Sequence, residues 1–200
     1  MINFLKIYLP LFLLLYLLVA FVLPSYRTWK QTGINPIRFG KDDTLHNYIG
    51  FVMKQLVAFL FVPVILFSSG SKLYAYLLPA WYLQNQTFLV TGLIVIHIAL
   101  FWIIIAQYQM SNSWRIGIDE VNKTDLVTKG VFRISRNPIF LGMILTVLGL
   151  FFILPNALNF FLSLTTYFII QVQIRLEETF LEQQHGEVYK NYKSKTRRLI

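Results

Sequence analysis

A long uncharged stretch of the chain covers residues 139–172 and is interrupted only by a Pro155-Asn156 pair. A helix needs about 20 residues, or as few as about 17, to cross a hydrocarbon core of about 30 Å. A stretch of this length with a turn signal near its middle predicts two short membrane helices that return the chain to the side it left. The charged residues that flank it, Arg136 and Arg175, would therefore lie at one membrane face.

Apolar runs predict five membrane helices, at residues 8–23, 49–67, 88–106, 139–154 and 157–172. Of the 200 residues, 56% are hydrophobic and only 14% are charged. The sequence therefore predicts an all-α, polytopic integral membrane protein with about five transmembrane helices, a C-terminal helical hairpin and a cytoplasmic amphipathic tail helix. Residues 1–200 are expected to form a single membrane domain, with the N-terminal spans in residues 1–106 and the polar blocks in residues 107–200.

Lysine and arginine are distributed unevenly between the two sides of these predicted helices. They cluster in the loops after the first and third predicted spans and in the tail after the fifth, whereas the opposite side holds only Lys6 and Lys72. The positive-inside rule then predicts that the N-terminus lies outside and the C-terminus lies in the cytoplasm. All nine Asp and Glu residues also fall on the cytoplasmic side. The loop after the third span contributes Arg115, Lys123, Lys129, Arg133 and Arg136 to this count. Topology and attraction to anionic lipids account for the net charge of +9, so no nucleic-acid partner is predicted.

The chain offers few residues for metal or thiol chemistry. It has no cysteine, which excludes a disulfide framework, a thiol nucleophile and a thiolate metal site. The three histidines, His46, His97 and His185, are scattered without the spacing of metal ligands, so no metal is predicted. His97 lies in the middle of a predicted span and is expected to face another helix through one hydrogen bond.

The first polar block, residues 126–138, ends where the fourth predicted span begins. Gly130 allows a backbone turn, and Asn137 followed by Pro138 is typical of a helix start with Asn as the N-cap. Arg133 and Arg136 are three residues apart and would share a face of a helix. They are either positive-inside anchors or an anion receptor beside a helix N-terminus.

The second polar block follows the fifth predicted span. If that span continues as a helix, Glu177 lies on an apolar stripe with Ile170, Ile174 and Leu181 near the membrane surface. A carboxylate in that position needs a partner or a ligand. Glu177 is therefore either part of a site or paired with one of the two arginines of the first block, and the functional role is favoured. Glu178 is expected to pair locally with Arg175, and Gly186 is expected to end the helix.

Taken in order, the motifs of the two blocks resemble one enzyme family over about residues 112–200. The matching residues are Leu126-Val127-Thr128, Gly130, Phe132, Arg136-Asn137-Pro138, Phe140, Gly142, Glu177-Glu178, Gly186 and Tyr189. This pattern is similar to the C-terminal half of the isoprenylcysteine carboxyl methyltransferases, which are related to the membrane phospholipid methyltransferases. The resemblance implies a membrane enzyme that uses S-adenosylmethionine, with residues 107–200 as the cofactor-binding half.

The resemblance also implies roles for individual residues. The cofactor-binding positions carried over are Leu126, Val127, Phe132, Asn137, Pro138, Phe140 and Glu177, and Arg133 or Arg136 could take the cofactor's carboxylate. Arg136 and Glu177 are the candidate catalytic residues. Asn137 stands where many members have His, and Gln173, with Arg175 nearby, stands where the eukaryotic enzymes bind the substrate's carboxylate with arginine. Gln173 and Arg175 are therefore the candidate substrate-binding residues.

The expected acceptor is a lipophilic or small amphipathic molecule, with membrane lipids as partners. No strong general base accompanies the motifs, which favours a carboxylate or thiol acceptor, isoprenylcysteine-like, over a phospholipid amine. Two other functions remain open from the sequence. One is an NADPH-dependent membrane reductase with the architecture of sterol reductases. The other is a non-catalytic membrane protein whose Arg–Glu pairs only join helices.

Overall fold

The computed structural model describes residues 1–119, 121–122 and 124–200. Lys123, one of the basic residues counted for topology, and Glu120 lie outside the described residues. The described part is all-α, and its isolated β-bridges form no strand. Its α-helices are α1 Ile2–Leu17, α2 Leu23–Thr32, α3 Leu45–Ser68, α4 Gln86–Met110, α5 Pro138–Ile153, α6 Ala157–His185 and α7 Glu187–Lys195. The π-helical turn Leu18–Val22 joins α1 to α2.

Four helical segments of the described chain are long and apolar enough to cross a membrane, and α5 is a shorter apolar helix. The four segments are Ile2–Thr32, Leu45–Ser68, Gln86–Ser113 and Ala157–His185. The prediction of an all-α, multi-pass membrane protein is therefore confirmed. Its orientation in the membrane and its division at residues 106 and 107 stay predictions, and α4 runs without a break across that division.

The turn between α5 and α6 forms at the predicted Pro155-Asn156 pair. The Asn156 side chain accepts a hydrogen bond from the backbone N–H of Asn159 at 2.9 Å, so it caps the N-terminus of α6. The side-chain amides of Asn156 and Asn159 both donate to the Leu154 carbonyl, at 2.9 and 2.8 Å. These bonds satisfy backbone groups that the chain reversal would otherwise leave unpaired in an apolar setting.

Helix α6 does not stop where its apolar sequence stops. It continues past Glu177 and ends at His185, followed by Gly186 with φ +54°. A positive φ is accessible to glycine without steric cost, which explains why the helix ends there, as predicted. The shorter helix α7 then turns back towards the start of α5. The polar blocks consequently meet at one end of the helix bundle, which is called the polar end below.

The N-terminal helices pack against the rest of the bundle through both apolar and polar contacts. Tyr8 of α1 donates to Nε2 of His97 on α4 at 2.7 Å, because the other ring nitrogen donates to the Leu93 carbonyl and fixes the tautomer. This confirms the interhelical hydrogen bond expected for His97. The Gln107 side chain donates to the Ala20 carbonyl in the π-helical turn. Residues from α1, α3, α4, α5 and α6 share one apolar core.

Helices α4 and α5 approach each other closely at Gly92 and Gly149. A Cβ atom on Gly92 would lie 2.7 Å from the Gly149 carbonyl oxygen and 2.7 Å from Cγ1 of Ile153. Real Cβ atoms do not approach a backbone atom that closely, so the two helices would have to separate. Small residues at such crossings are a general means of helix association in membranes.

Replacing Gly92 with alanine is therefore expected to destabilise the protein by about 1–3 kcal/mol, the usual cost of overpacking. Thermal unfolding in detergent, followed by tryptophan fluorescence, measures the change. Gly33→Ala is the control for adding a methyl group without a packing clash, because nothing lies within 4 Å of its Cβ position. Its positive φ of +69° still costs some strain. Equal stability of Gly92→Ala and wild type would contradict the close approach.

Candidate functional site

A cavity of about 170 Å³ lies at the polar end, between the C-terminal ends of α4 and α6, the start of α5, and α7. It is called the polar-end pocket. Nine of the residues predicted for a site line it: Leu126, Val127, Phe132, Arg136, Asn137, Pro138, Phe140, Gln173 and Glu177. The two polar blocks, which are more than thirty residues apart, thus meet around one cavity. A larger open groove of about 520 Å³ lies at the opposite end of the bundle, away from these residues.

Two predicted site residues do not line the pocket. Arg133 is exposed at the end of the short 3₁₀ helix Gly130–Arg133. Arg175 is exposed on α6, where its guanidinium donates to the carbonyl and side-chain oxygens of Gln171. Arg175 faces away from the pocket although Gln173 and Glu177 of the same helix line it, because neighbouring positions on an α-helix differ by about 100° in direction.

Other residues, which were not among the predicted site residues, also line the pocket. Trp114, Arg115 and Asp125 come from the loop between α4 and α5, and Tyr189 and Tyr192 come from α7. The N-terminal part of the chain adds Phe21, Phe39 and Met53. Only Tyr189 carried a signal, because it belongs to a motif of the second block. The others are brought in by tertiary packing alone.

Glu177 and Gln173 form the polar part of the pocket wall on α6. The Gln173 amide donates to the Glu177 carboxylate at 2.8 Å, as expected for residues four apart on a helix. Gln173 is 1% exposed, and its own Oε1 has no hydrogen-bond partner among the described residues. Glu177 forms no ion pair within the described chain. The wall therefore presents a carboxylate and a buried carbonyl oxygen whose hydrogen-bonding capacity is incompletely used.

Glu178, by contrast, is fully engaged in an ion cluster. It is 3% exposed and accepts from Nη2 of Arg136 at 2.8 Å and from Nη2 of Arg198 at 2.7 Å. The expectation that Glu178 pairs with Arg175 is wrong, because Arg175 lies on the exposed side of α6. Two guanidiniums face one carboxylate, so the cluster retains one positive charge. Glu178 thus has a structural role, as predicted, but through partners far away in the sequence.

Arg136 is nearly saturated by its protein partners. Its Nε and Nη2 donate to Glu178, and its Nη1 donates to the carbonyls of Lys193 and Thr196. Its backbone N–H donates to the Arg197 carbonyl at 2.9 Å. Arg136 therefore holds the C-terminal segment against the start of α5, and it has little capacity left to receive an anion.

Asn137 precedes α5, as predicted, but its side chain does not cap that helix. It donates instead to the Arg198 carbonyl at 3.0 Å. Ser135 also donates to that carbonyl, at 3.4 Å, and accepts from the Asn137 N–H. The N-cap role expected for the Asn137 side chain is thus wrong, because the C-terminal segment takes the side chain as its partner.

The C-terminal segment completes the pocket with two tyrosines of α7. Tyr189 is 1% exposed, and Tyr192 donates from its hydroxyl to the Phe132 carbonyl at 2.6 Å. Burial raises the pKa of Tyr192 to about 12, so the phenol stays protonated and remains a donor. This bond joins α7 to the 3₁₀ helix of the first block.

Two loops pack together over the pocket around Asp119. The loop after α2 and the loop after α4 are joined by backbone hydrogen bonds between Arg38 and Ile116 and between Ile116 and Pro36. Asp119 pairs with Arg38 at 2.8 Å and with Arg115 at 3.1 Å. Arg115 lines the pocket, and among the described residues none accepts a hydrogen bond from its Nη2 group.

The pKa of Asp119 lies below its ordinary value of 3.8. Burial favours the neutral acid, but the hydrogen bonds from Asn122 and Arg115 and the charge of Arg38 outweigh it. A lowered folded-state pKa stabilises the fold above the unfolded-state pKa, and this contribution is lost as the pH falls through the folded-state pKa.

We expect Asp119→Asn to destabilise the protein near neutral pH by about 1–3 kcal/mol, because Arg115 then lacks its buried counter-charge. As the pH is lowered from about 7 to about 3, wild type should lose more stability than the variant, and the two should converge. Thermal unfolding across this range measures the difference. A constant gap at every pH would show that the carboxylate's ionisation does not stabilise these loops.

A comparison of the sequence with known protein families gives a match. The model of the phospholipid methyltransferase family covers residues 85–188, more than half of the chain. The chain belongs to the phospholipid methyltransferase family. This family includes isoprenylcysteine carboxyl methyltransferase-like proteins, so the resemblance found in the motifs is confirmed. No curated protein matches the chain.

Membership of the phospholipid methyltransferase family makes the chain a membrane methyltransferase. The matched region begins just before α4 and ends within α7, so it contains the first polar block and the second block as far as residue 188. Phe21, Phe39 and Met53 of the pocket lie before it, and Tyr192 and the ion-pairing Arg198 lie after it. In the described part of the chain, no group of three or more His, Asp or Glu residues could hold a metal ion.

Proposed function

We propose that this protein transfers a methyl group from S-adenosylmethionine to a lipophilic or small amphipathic acceptor in the polar-end pocket. The observation that carries the proposal is the Glu177–Gln173 pair in the pocket wall. Gln173 leaves a buried carbonyl oxygen without a partner among the described residues, and Glu177 accepts only from Gln173 there. Buried polar atoms normally have partners, so these two acceptors favour a ligand that carries N–H or O–H donors.

The residues of the pocket fit the chemical groups of S-adenosylmethionine. Glu177 and Gln173 would accept from its ammonium group or its ribose hydroxyls. The rings of Phe132 and Phe140 offer flat surfaces for an adenine ring and electron-rich faces for a cation. Leu126, Val127, Asn137 and Pro138 complete the predicted cofactor positions in the wall.

For the cofactor's carboxylate we assign Arg115 rather than Arg133 or Arg136. The Arg133 side chain is exposed outside the pocket, and Arg136 is occupied by Glu178 and the C-terminal carbonyls. Arg115 lines the pocket, and its Nη2 group keeps donors that no described residue uses. A guanidinium group forms strong, charge-assisted hydrogen bonds with carboxylates. Arg136 is accordingly proposed as a positioning residue that orders the pocket wall.

S-adenosylmethionine supplies, when bound, a methyl group activated by a positively charged sulfur. The protein has to align the acceptor with that methyl group and exclude water, and both are matters of positioning. Phe140, Met143 and Leu181 make part of the pocket wall apolar, which helps to exclude water. A carboxylate or thiolate acceptor then needs no general base.

This reasoning favours a carboxylate or thiol acceptor, isoprenylcysteine-like, over a phospholipid amine. Gln173 is the proposed substrate-binding residue, and its free carbonyl oxygen would accept from an N–H or O–H group of the acceptor molecule rather than from its carboxylate. Arg175 remains a sequence-based prediction, and its side chain points away from the pocket. The proposed orientation has the N-terminus outside and the pocket in the cytoplasm, where the lipid surface lies beside the pocket.

The test uses the full chain purified in detergent. Binding of S-adenosylmethionine is measured by calorimetry, with NADPH as a competitor, and transfer of labelled methyl is measured into fractionated lipids, thiols and small acids. We expect saturable binding that NADPH does not displace, and label in one acceptor fraction. Displacement by NADPH would favour a reductase, and an absence of binding by either cofactor would indicate a non-catalytic membrane protein.

A further inference from the structure

A second cavity adjoins the polar-end pocket and is called the apolar slot. It has a volume of about 40 Å³ and lies between α1, α3, α5 and α6. Phe21, Met53 and Met143 line both the slot and the pocket, so the two are neighbours along the bundle. Methionine side chains are flexible and adapt their shape, so these two can widen the passage between the cavities.

The slot contains one polar group without a partner. Thr166 of α6 lines the slot, is 7% exposed, and its hydroxyl has no hydrogen-bond partner in the described residues. The neighbouring Thr146 differs, because it donates to the Gly142 carbonyl at 2.9 Å. The rest of the slot is formed mostly by leucine, isoleucine, valine, phenylalanine and methionine side chains.

A buried hydroxyl without a partner is unfavourable, and it becomes favourable only when an acceptor is supplied. A trapped water would need two to four polar partners, and the slot's other two hydroxyl groups are engaged, since Thr146 donates to the Gly142 carbonyl and Tyr16 bonds Thr146. An unsubstituted hydrocarbon chain would fill the space but leave the hydroxyl unpaired. The lining of the apolar slot therefore fits an apolar chain that carries one oxygen, which would accept a hydrogen bond from Thr166.

We propose that the apolar slot holds the tail of the methyl acceptor, and that the Thr166 hydroxyl donates a hydrogen bond to an oxygen on that tail. The acceptor would then be an amphipathic lipid whose chain bears a carbonyl, ether or hydroxyl oxygen. Thr166 precedes Gln173 by seven residues, which corresponds to about 10 Å along a helix. The oxygen should lie at about that distance from the polar group held beside Gln173. This proposal rests on the proposed function for the identity of the acceptor.

The slot also assigns a role to the N-terminal helices. One wall consists of α1 and α3, including Leu13, Leu17, Leu56 and Leu60, all outside the region that matches the family. The pocket for the reacting groups and the slot for the tail therefore come mainly from different parts of the chain. The N-terminal helices would determine which tails are accepted, while the cofactor pocket stays the same.

The test begins with a photoactivatable sixteen-carbon fatty alcohol and the full chain in detergent. We expect its cross-links to map to slot residues on α3 and α6, such as Val57 and Ile169. Hexadecanol and a series of keto-hexadecanols, which differ in the position of one ketone, then compete with this probe, because their hydroxyl group can donate to Gln173. The ketone at about 10 Å from the hydroxyl group should compete best. Its advantage over hexadecanol should be severalfold, up to about tenfold, the value of one hydrogen bond.

Thr166→Val removes the hydroxyl at nearly constant volume and should abolish the preference for the ketone, while Thr166→Ser should retain it. Cross-links outside the slot, or equal competition by all the alcohols in wild type, would overturn the proposal. A preference that survives in Thr166→Val would overturn the role of Thr166. Binding of S-adenosylmethionine should be the same in wild type and Thr166→Val. If wild type does not bind that cofactor, the proposed function fails, whereas the cross-linking result still decides whether the slot binds a tail.

Discussion

Replacing Glu177 with glutamine is expected to weaken binding of S-adenosylmethionine by about 10- to 150-fold. A hydrogen bond to a charged group contributes about 1.5–3 kcal/mol, and each 1.4 kcal/mol corresponds to a factor of ten. The substitution keeps the size of the side chain but removes the negative charge from the pocket wall. It also replaces one of the two acceptor oxygens by an NH₂ group, which donates hydrogen bonds and cannot accept one from the ligand. Calorimetry on the purified variant measures the loss, and methyl transfer should fall at least in parallel.

Glu182→Gln is the matched control on the same helix. Glu182 pairs with Lys193 at 2.9 Å with both side chains partly exposed, and it does not line the pocket. Exposed ion pairs contribute about 0–1 kcal/mol, so this variant should bind the cofactor as wild type does. Full cofactor affinity in Glu177→Gln would remove Glu177 from the proposed site. Equal losses in both variants would point to a general effect of charge on α6.

Replacing Glu178 with glutamine should destabilise the protein by about 3–5 kcal/mol, because removing one partner of a buried ion pair leaves a buried charge uncompensated. The side chain of Arg136 is only 8% exposed and would lose its carboxylate. Arg198 is 34% exposed and is better screened by solvent, which argues for the lower part of this range. The C-terminal segment should then detach, since Glu178 and Arg136 together hold it.

Two measurements separate this effect from a direct role in binding. Thermal unfolding gives the loss of stability, and brief trypsin treatment reports whether the chain becomes cleavable at Lys193 and Lys195. Glu187→Gln is the control, because the Glu187–Lys190 pair is exposed and should contribute little. Cofactor binding should fall in Glu178→Gln, because Tyr189 and Tyr192 would no longer line the pocket. A Glu178→Gln variant with normal stability and a protected tail would contradict the structural role of the ion cluster.

The contrast between Glu177 and Glu178 shows which features of the site the sequence could predict. Helical periodicity predicted different surroundings for the two carboxylates, because adjacent residues on a helix point about 100° apart. It could not identify the partners of Glu178, since Arg136 and Arg198 lie 42 and 20 residues away along the chain. For the same reason it could not distinguish Arg136, which is occupied, from Arg115, which keeps free donors.

Local rules predicted the helix boundaries well where a backbone requirement determines them. Pro155-Asn156 forms the turn of the hairpin, Pro138 begins α5, and Gly186 follows the end of α6. The side chain of Asn137 departs from its local rule, because a carbonyl of the C-terminal segment competes for it. A capping preference of about 1 kcal/mol is small enough for such a tertiary contact to override it.

The uncharged stretch and the long apolar runs were sufficient to establish an all-helical membrane protein, because only hydrogen-bonded helices can place such sequences in lipid without a closed barrel. The motifs at the two ends of the hairpin were sufficient to indicate the family. Tertiary structure alone decided that Arg136 bonds Glu178 and the carbonyls of the C-terminal segment, that α7 closes the pocket, and that α1 and α3 line an apolar slot beside it. These outcomes depend on contacts between residues that are distant in the sequence, and neither periodicity nor local propensity encodes such contacts.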